Sequence, residues 1–69
     1  MSIKFDLSGE YIELIKLLKA TGMCGTGGEA KAVTVEGLVK VDGDVELRKK
    51  RKIRKGQVVE FQGQIVKVI

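Results

Sequence analysis

Residues 48–55 read Arg48-Lys49-Lys50-Arg51-Lys52-Ile53-Arg54-Lys55, seven cations in eight positions. The chemistry open to such a run is anion binding, since guanidinium groups fork onto phosphate or carboxylate oxygens and ammonium groups add point charges. The run also dominates the charge map. Residues 1–47 carry five lysines against eight acids, a balance of −3, whereas residues 48–69 carry eight bases against Glu60 alone, a balance of +7. A polyanion is the partner that such a surface suggests first. Contact with about five phosphates of a duplex would give a log-log salt slope of roughly −4 to −5. An ordinary solvated loop has the same composition, so further features have to decide.

Thr26-Gly27-Gly28-Glu29 is one such feature. It has the Thr-x-x-Glu spacing of a capping box, which opens a helix on two glycines. Helix starts attract phosphate through free N–H groups and the helix dipole. The backbone at Gly27 and Gly28 would receive the phosphate, and Lys31 in the first turns would add charge. Taken alone, the segment reads more simply as a plain helix cap. Lys31 beside it shifts the balance, and cap, lysine and basic run could together line one groove.

Other chemistries find little material. The chain has no His, hence neither the usual general base near neutral pH nor the commonest metal ligand. Its one cysteine, Cys24, cannot build a thiolate zinc site, and a lone thiol suits a reducing compartment. The pairs Glu10 with Glu13 and Asp42 with Asp44 fall where solvated helix and turn residues are expected. No catalytic residue, metal ligand or cofactor is assigned. No stretch approaches the roughly 18 apolar residues of a membrane helix, and Met1-Ser2-Ile3-Lys4-Phe5-Asp6-Leu7 lacks the apolar run of a signal peptide. The expectation is a soluble cytoplasmic protein, 1–69 forming a single small domain, with a monomer favoured.

The elements that must position these residues can be read from periodicity. Tyr11, Leu14, Ile15 and Leu18 recur at helical spacing, with Ser8 available as a cap and Gly22 as a terminator. Lys16 and Lys19 fall on the wet side and outside the site. A second helix from Thr26 to Gly37 is predicted to turn Ala30, Val33 and Thr34 inward and Lys31 outward. Met23 and Cys24 are assigned to packing, as are Tyr11 and Phe61. Beyond Gly37 the period becomes two. Leu38–Val41 and Asp44–Glu46 flank Asp42-Gly43 as a hairpin, and Val58–Phe61 and Ile65–Val68 flank Gln62-Gly63-Gln64 as another strand pair. Ile3–Leu7 also alternates, and an edge strand is expected there. The fold class is α+β: two N-terminal helices packed on a small, mostly antiparallel sheet.

At these residues the chain resembles the S4-type RNA-binding domain, the alpha-L motif named after a small-subunit ribosomal protein, and especially its small stand-alone bacterial members. The matching segments are Leu14-Ile15-Lys16-Leu17-Leu18-Lys19, Thr26-Gly27-Gly28-Glu29-Ala30-Lys31, Glu36 through Gly43, and Arg48 through Gly56 with Val58 beyond. The resemblance covers nearly the whole chain. It implies RNA binding by the two-helix and hairpin surface, with Lys31, Arg48, Lys49 and Lys52 at positions the family tends to keep basic. Thr26 stands where the family often has Ser, Asp42 where Asn is common, and Gln57 where Asp is common.

The resulting expectation is a non-catalytic protein that docks structured RNA, with ribosomal RNA as one candidate, through a basic groove. Its site comprises Thr26, Gly27, Gly28, Lys31, Arg48, Lys49, Lys50, Arg51, Lys52, Arg54 and Lys55. With three aromatic residues in all, serial base stacking is not expected to dominate, which favours recognition by shape and phosphates. The rival reading is a protein-interaction module whose basic loop meets an acidic partner. Membrane attachment through the run is weaker, because stable anchoring takes a second signal and no lipidation motif is present.

Overall fold

Two tight hairpins organise the sheet. In the computed structural model, which describes residues 2–69, β3 (Val39–Val41) and β4 (Asp44–Val45) are joined by Asp42 and Gly43 at φ 52° and 88°. Both angles are positive, as a primed turn requires; Asp tolerates that region and Gly adopts it without penalty. β6 (Val58–Phe61) and β7 (Gln64–Val68) turn through Gln62 and Gly63 in the same way. The first strand, β1 (Ser2–Phe5), runs parallel to β7, with Ile3 opposite Val66 and Phe5 opposite Val68. The sheet order is β1-β7-β6-β3-β4, and every other pairing is antiparallel.

Period-two alternation sends Val39, Val41, Val59, Phe61, Val66 and Val68 into the core, where they meet Leu14, Leu17 and Leu18. Those leucines belong to α1 (Leu14–Ala20). The second helix, α2 (Gly27–Val35), contributes Ala30, fully buried, with Val33 packed at the margin. Thr34 is buried too and satisfies its hydroxyl on the Ala30 carbonyl at 2.7 Å. Lys31 lies outside, so the inward and outward faces of α2 are those that the sequence predicts. Met23 and Cys24 pack in the core between the helices, and burial pushes the Cys24 thiol up.

Three expectations need correction. The helices are not N-terminal: a strand precedes them and pairs with the last strand, so the two ends of the chain close one edge of the sheet. The first helix begins at Leu14, so Ser8 does not cap it, and Tyr11 and Ile12 lie outside it. Ile12–Glu13 instead forms β2, paired antiparallel with β5 (Lys52–Ile53) in a separate two-stranded sheet. This pairing outcompetes helical propensity because Ile53 is fully buried and needs Ile12 opposite it. Tyr11 is therefore not a core residue; it remains 43% exposed. At the other end of α1, Gly22 terminates the helix as expected, at φ 78° with its N–H on the Lys19 carbonyl.

Candidate nucleic-acid interface

The basic segment is fastened at three points. Ile53 drives into the core between Lys52 and Arg54, both of which stay exposed. The carbonyls of Arg51 and Lys49 accept the N–H groups of Leu14 and Ile15 at 2.8 and 3.1 Å. These amides start α1, where no side chain caps the helix, so the basic loop itself supplies the acceptors that a helix start lacks. The third point is Glu46, buried just upstream. Its Oε2 accepts from Arg48 N at 2.9 Å and Arg48 Nε at 3.0 Å, and its Oε1 accepts from Arg48 Nη2 at 3.3 Å and Arg51 Nη1. The Arg48 side-chain hydrogen bonds hold the Glu46 carboxyl at about 2, against a burial effect of opposite sign.

Glu46 changes the count of cations available for an anion. Of the seven in residues 48–55, Arg48 and Arg51 share its carboxylate, leaving Lys49, Lys50, Lys52, Arg54 and Lys55 without a carboxylate partner among the described residues. Arg48 keeps a 73% exposed side chain and still presents part of its guanidinium to solvent. Residues Arg48, Lys49, Lys50, Arg51 and Lys52 together line an open depression of about 610 Å³. The structure thus brings these five predicted residues to one place.

Lys52 and Arg54 have a further partner. The Lys52 Nζ lies 4.9 Å and the Arg54 Cζ 5.7 Å from the centre of the Tyr11 ring. Continuing the Ile12–Ile53 register sets Tyr11 opposite Arg54, which explains the cluster. Contacts of this kind at an exposed ring are each worth about 0.5–1 kcal/mol.

At α2 the Thr26 hydroxyl accepts the Glu29 N–H at 3.1 Å, so the cap forms as predicted. The Glu29 carboxylate reaches one residue further back than a standard box, accepting the Gly25 N–H at 2.6 Å. The first two helical amides, at Gly27 and Gly28, have no hydrogen-bond partner among the described residues. Lys31 is exposed on the same helix, and Lys55 is exposed beyond Arg54.

Asp42 is not a free charge at the hairpin tip. Its Oδ1 accepts the Val58 N–H at 2.9 Å and its Oδ2 accepts the Gln57 amide at 3.0 Å; the Val58 bond, then Gln57, lowers its carboxyl pKa. Two of the departures from the family pattern, Asp42 and Gln57, therefore form one pair with matching acceptor and donor.

Three residues of this region escape periodicity. Ile53 is signalled only by being the one apolar residue in a charged run, and Glu46 by being the acid two positions before it. Tyr11 carried no signal, since its spacing fits the helix that begins after it.

The S4 domain model matches residues 5–69. This chain belongs to the S4 domain family. YbcJ of Escherichia coli (strain K12), named as a candidate RNA-binding protein, is 49% identical over 59 residues, 86% of this chain and 84% of YbcJ. YbcJ of Shigella flexneri matches to the same extent. The solution structure of Escherichia coli YbcJ, described as containing an alfaL motif involved in RNA binding, aligns with a TM-score of 0.74 at 46% identity. That alignment covers 96% of this chain and 85% of YbcJ. Two helices with a mostly antiparallel sheet are the architecture that this S4 member shares with it.

Proposed function

We propose that residues 1–69 act as one non-catalytic RNA-binding domain that docks structured RNA, of which ribosomal RNA is one candidate, through the basic segment 48–55. The observation that carries this reading is the fastening of the segment. Buried Ile53, the α1 amides and Glu46 hold the backbone of Arg48 to Lys52 and its two arginines in one arrangement, so little backbone freedom is left to lose on binding. A loop that served solubility alone would need none of these. The unpartnered amides of Gly27 and Gly28, with Lys31, extend the surface toward a further phosphate. The RNA-binding description of YbcJ, similar over most of both chains, supports the same ligand class. Among the described residues no helix is long and apolar enough to cross a membrane.

Five cations without a carboxylate partner among the described residues give an expected salt slope of about −4.5 on duplex RNA or DNA. Fluorescence anisotropy against a structured RNA, a single-stranded RNA and duplex DNA, each over a salt series, tests the proposal. Tighter binding to structured RNA is expected, and replacing Lys49, Lys50 and Lys52 by Ala flattens the slope by about 2.7. A slope unchanged by the triple substitution defeats the assignment.

One observation favours a protein partner as a second reading. Val35, Leu38, Val45 and Leu47 are each more than half exposed, and the last two lie 3.7 Å from where a Cβ on Gly37 would sit, beside edge strand β4. Affinity purification with and without ribonuclease separates the readings, since a direct protein partner survives digestion.

A further inference from the structure

The Tyr11 ring is anomalous for this molecule. Of its three aromatic side chains, Phe61 is buried and Phe5 is packed against the core, whereas Tyr11 stands 43% exposed. Its hydroxyl has no hydrogen-bond partner among the described residues. Packing does not account for its position, yet the chain fixes it there. Ile12, the next residue, is pinned to Ile53, and Leu14 N to the Arg51 carbonyl. The ring is therefore held at the mouth of the basic segment. Lys52 joins the two features, lining the depression and also lying over the ring.

We infer that Tyr11 is a stacking platform for one unpaired base, so that the RNA recognised by this domain places a single-stranded nucleotide next to the structured element whose phosphates meet residues 48–55. This inference rests on the RNA-binding reading above and specifies its ligand. In the free protein Lys52 and Arg54 lie against the ring. When phosphates arrive, both cations exchange the weak ring contact for charge-assisted hydrogen bonds. The π face they release takes the adjacent base, an interaction open to any base because each has a π face. One ring provides one stacking step. Recognition thus remains dominated by phosphates and shape, with the unpaired nucleotide setting register.

The chain has one tyrosine and no tryptophan, so its intrinsic fluorescence reports on Tyr11 alone. The test compares a blunt RNA hairpin with the same hairpin carrying a short single-stranded 3′ extension, using the wild type, Tyr11→Phe and Tyr11→Leu. Expected are quenching of the tyrosine emission by the extended hairpin and a preference for it of about fivefold to a hundredfold. Tyr11→Phe keeps that preference. Tyr11→Leu abolishes it while leaving the blunt-hairpin affinity and salt slope in place, and circular dichroism confirms that both variants fold. If the wild type binds both hairpins equally with a steep salt slope, the inference fails and the RNA-binding reading stands. If Tyr11→Leu weakens both hairpins equally, the ring only positions Lys52 and Arg54, and the inference fails. Absence of salt-dependent binding to either hairpin overturns the RNA-binding reading itself.

Discussion

Replacing Glu46 with Gln probes the fastening of the basic segment most directly. Glu46 is only 7% exposed and accepts four hydrogen bonds, three from Arg48 and one from Arg51. Gln keeps the shape but not the charge, and so imitates the protonated carboxyl. In the folded chain this carboxyl is held at about 2 against a usual 4.5. At about 1.4 kcal/mol per pH unit, that difference amounts to about 3 kcal/mol of stability at neutral pH. A domain of this length has about 3–10 kcal/mol in total, and the loss lowers the melting temperature by about 12–24 °C. The sign follows from a depressed carboxylate. Its contribution is complete above the unfolded value near 4.5, falls by about 1.4 kcal/mol per unit below that, and is gone near pH 2. Urea denaturation of wild type and Glu46→Gln at pH 7, 4.5, 3 and 2 measures the gap, and other titrating groups cancel in the difference. A gap of about 3 kcal/mol at pH 7 that closes by pH 2 is expected. A gap that stays constant over this range, or one under about 0.5 kcal/mol at pH 7, refutes the argument.

Ile53→Ala removes the fully buried anchor of the basic segment and is expected to cost about 2–5 kcal/mol, with the Leu14 and Ile15 amides losing hydrogen-exchange protection beyond the global effect. Unchanged protection at those amides would show that the loop is held by other means. Thr26→Ala should cost about 1 kcal/mol through loss of the α2 cap, and Thr26→Ser close to nothing, both read from urea midpoints. Asp42→Ala removes the acceptor of the Val58 N–H at a positive-φ position and should cost about 1–2 kcal/mol, with Asp42→Asn costing less than half as much. Equal losses for the two Asp42 substitutions would exclude backbone tolerance as the cause.

Much of this molecule is legible locally. Both hairpins follow from strand alternation around Asp42-Gly43 and Gln62-Gly63-Gln64, because turn chemistry and period two are properties of adjacent residues; only the bound of the second turn differs, since Gln64 joins β7. The cap at Thr26, the stop at Gly22 and the outward Lys31 are local in the same sense. The cationic run and the order of the family segments were also available from the chain alone, and with them the S4 membership.

What tertiary structure decided is which of these residues meet. Tyr11 and Ile12 satisfy helical spacing as well as strand spacing, and the choice fell to the fully buried Ile53, 41 positions away. The parallel pairing of β1 with β7 likewise joins the two ends of the chain, and no local pattern encodes such a contact. Charge followed the same division. The sequence supplies seven cations; folding buried Glu46 among them, drew two arginines onto it, and placed two more cations against Tyr11. A charge count is fixed by composition. Which charges are free to meet a phosphate depends on distances that only the packed core sets.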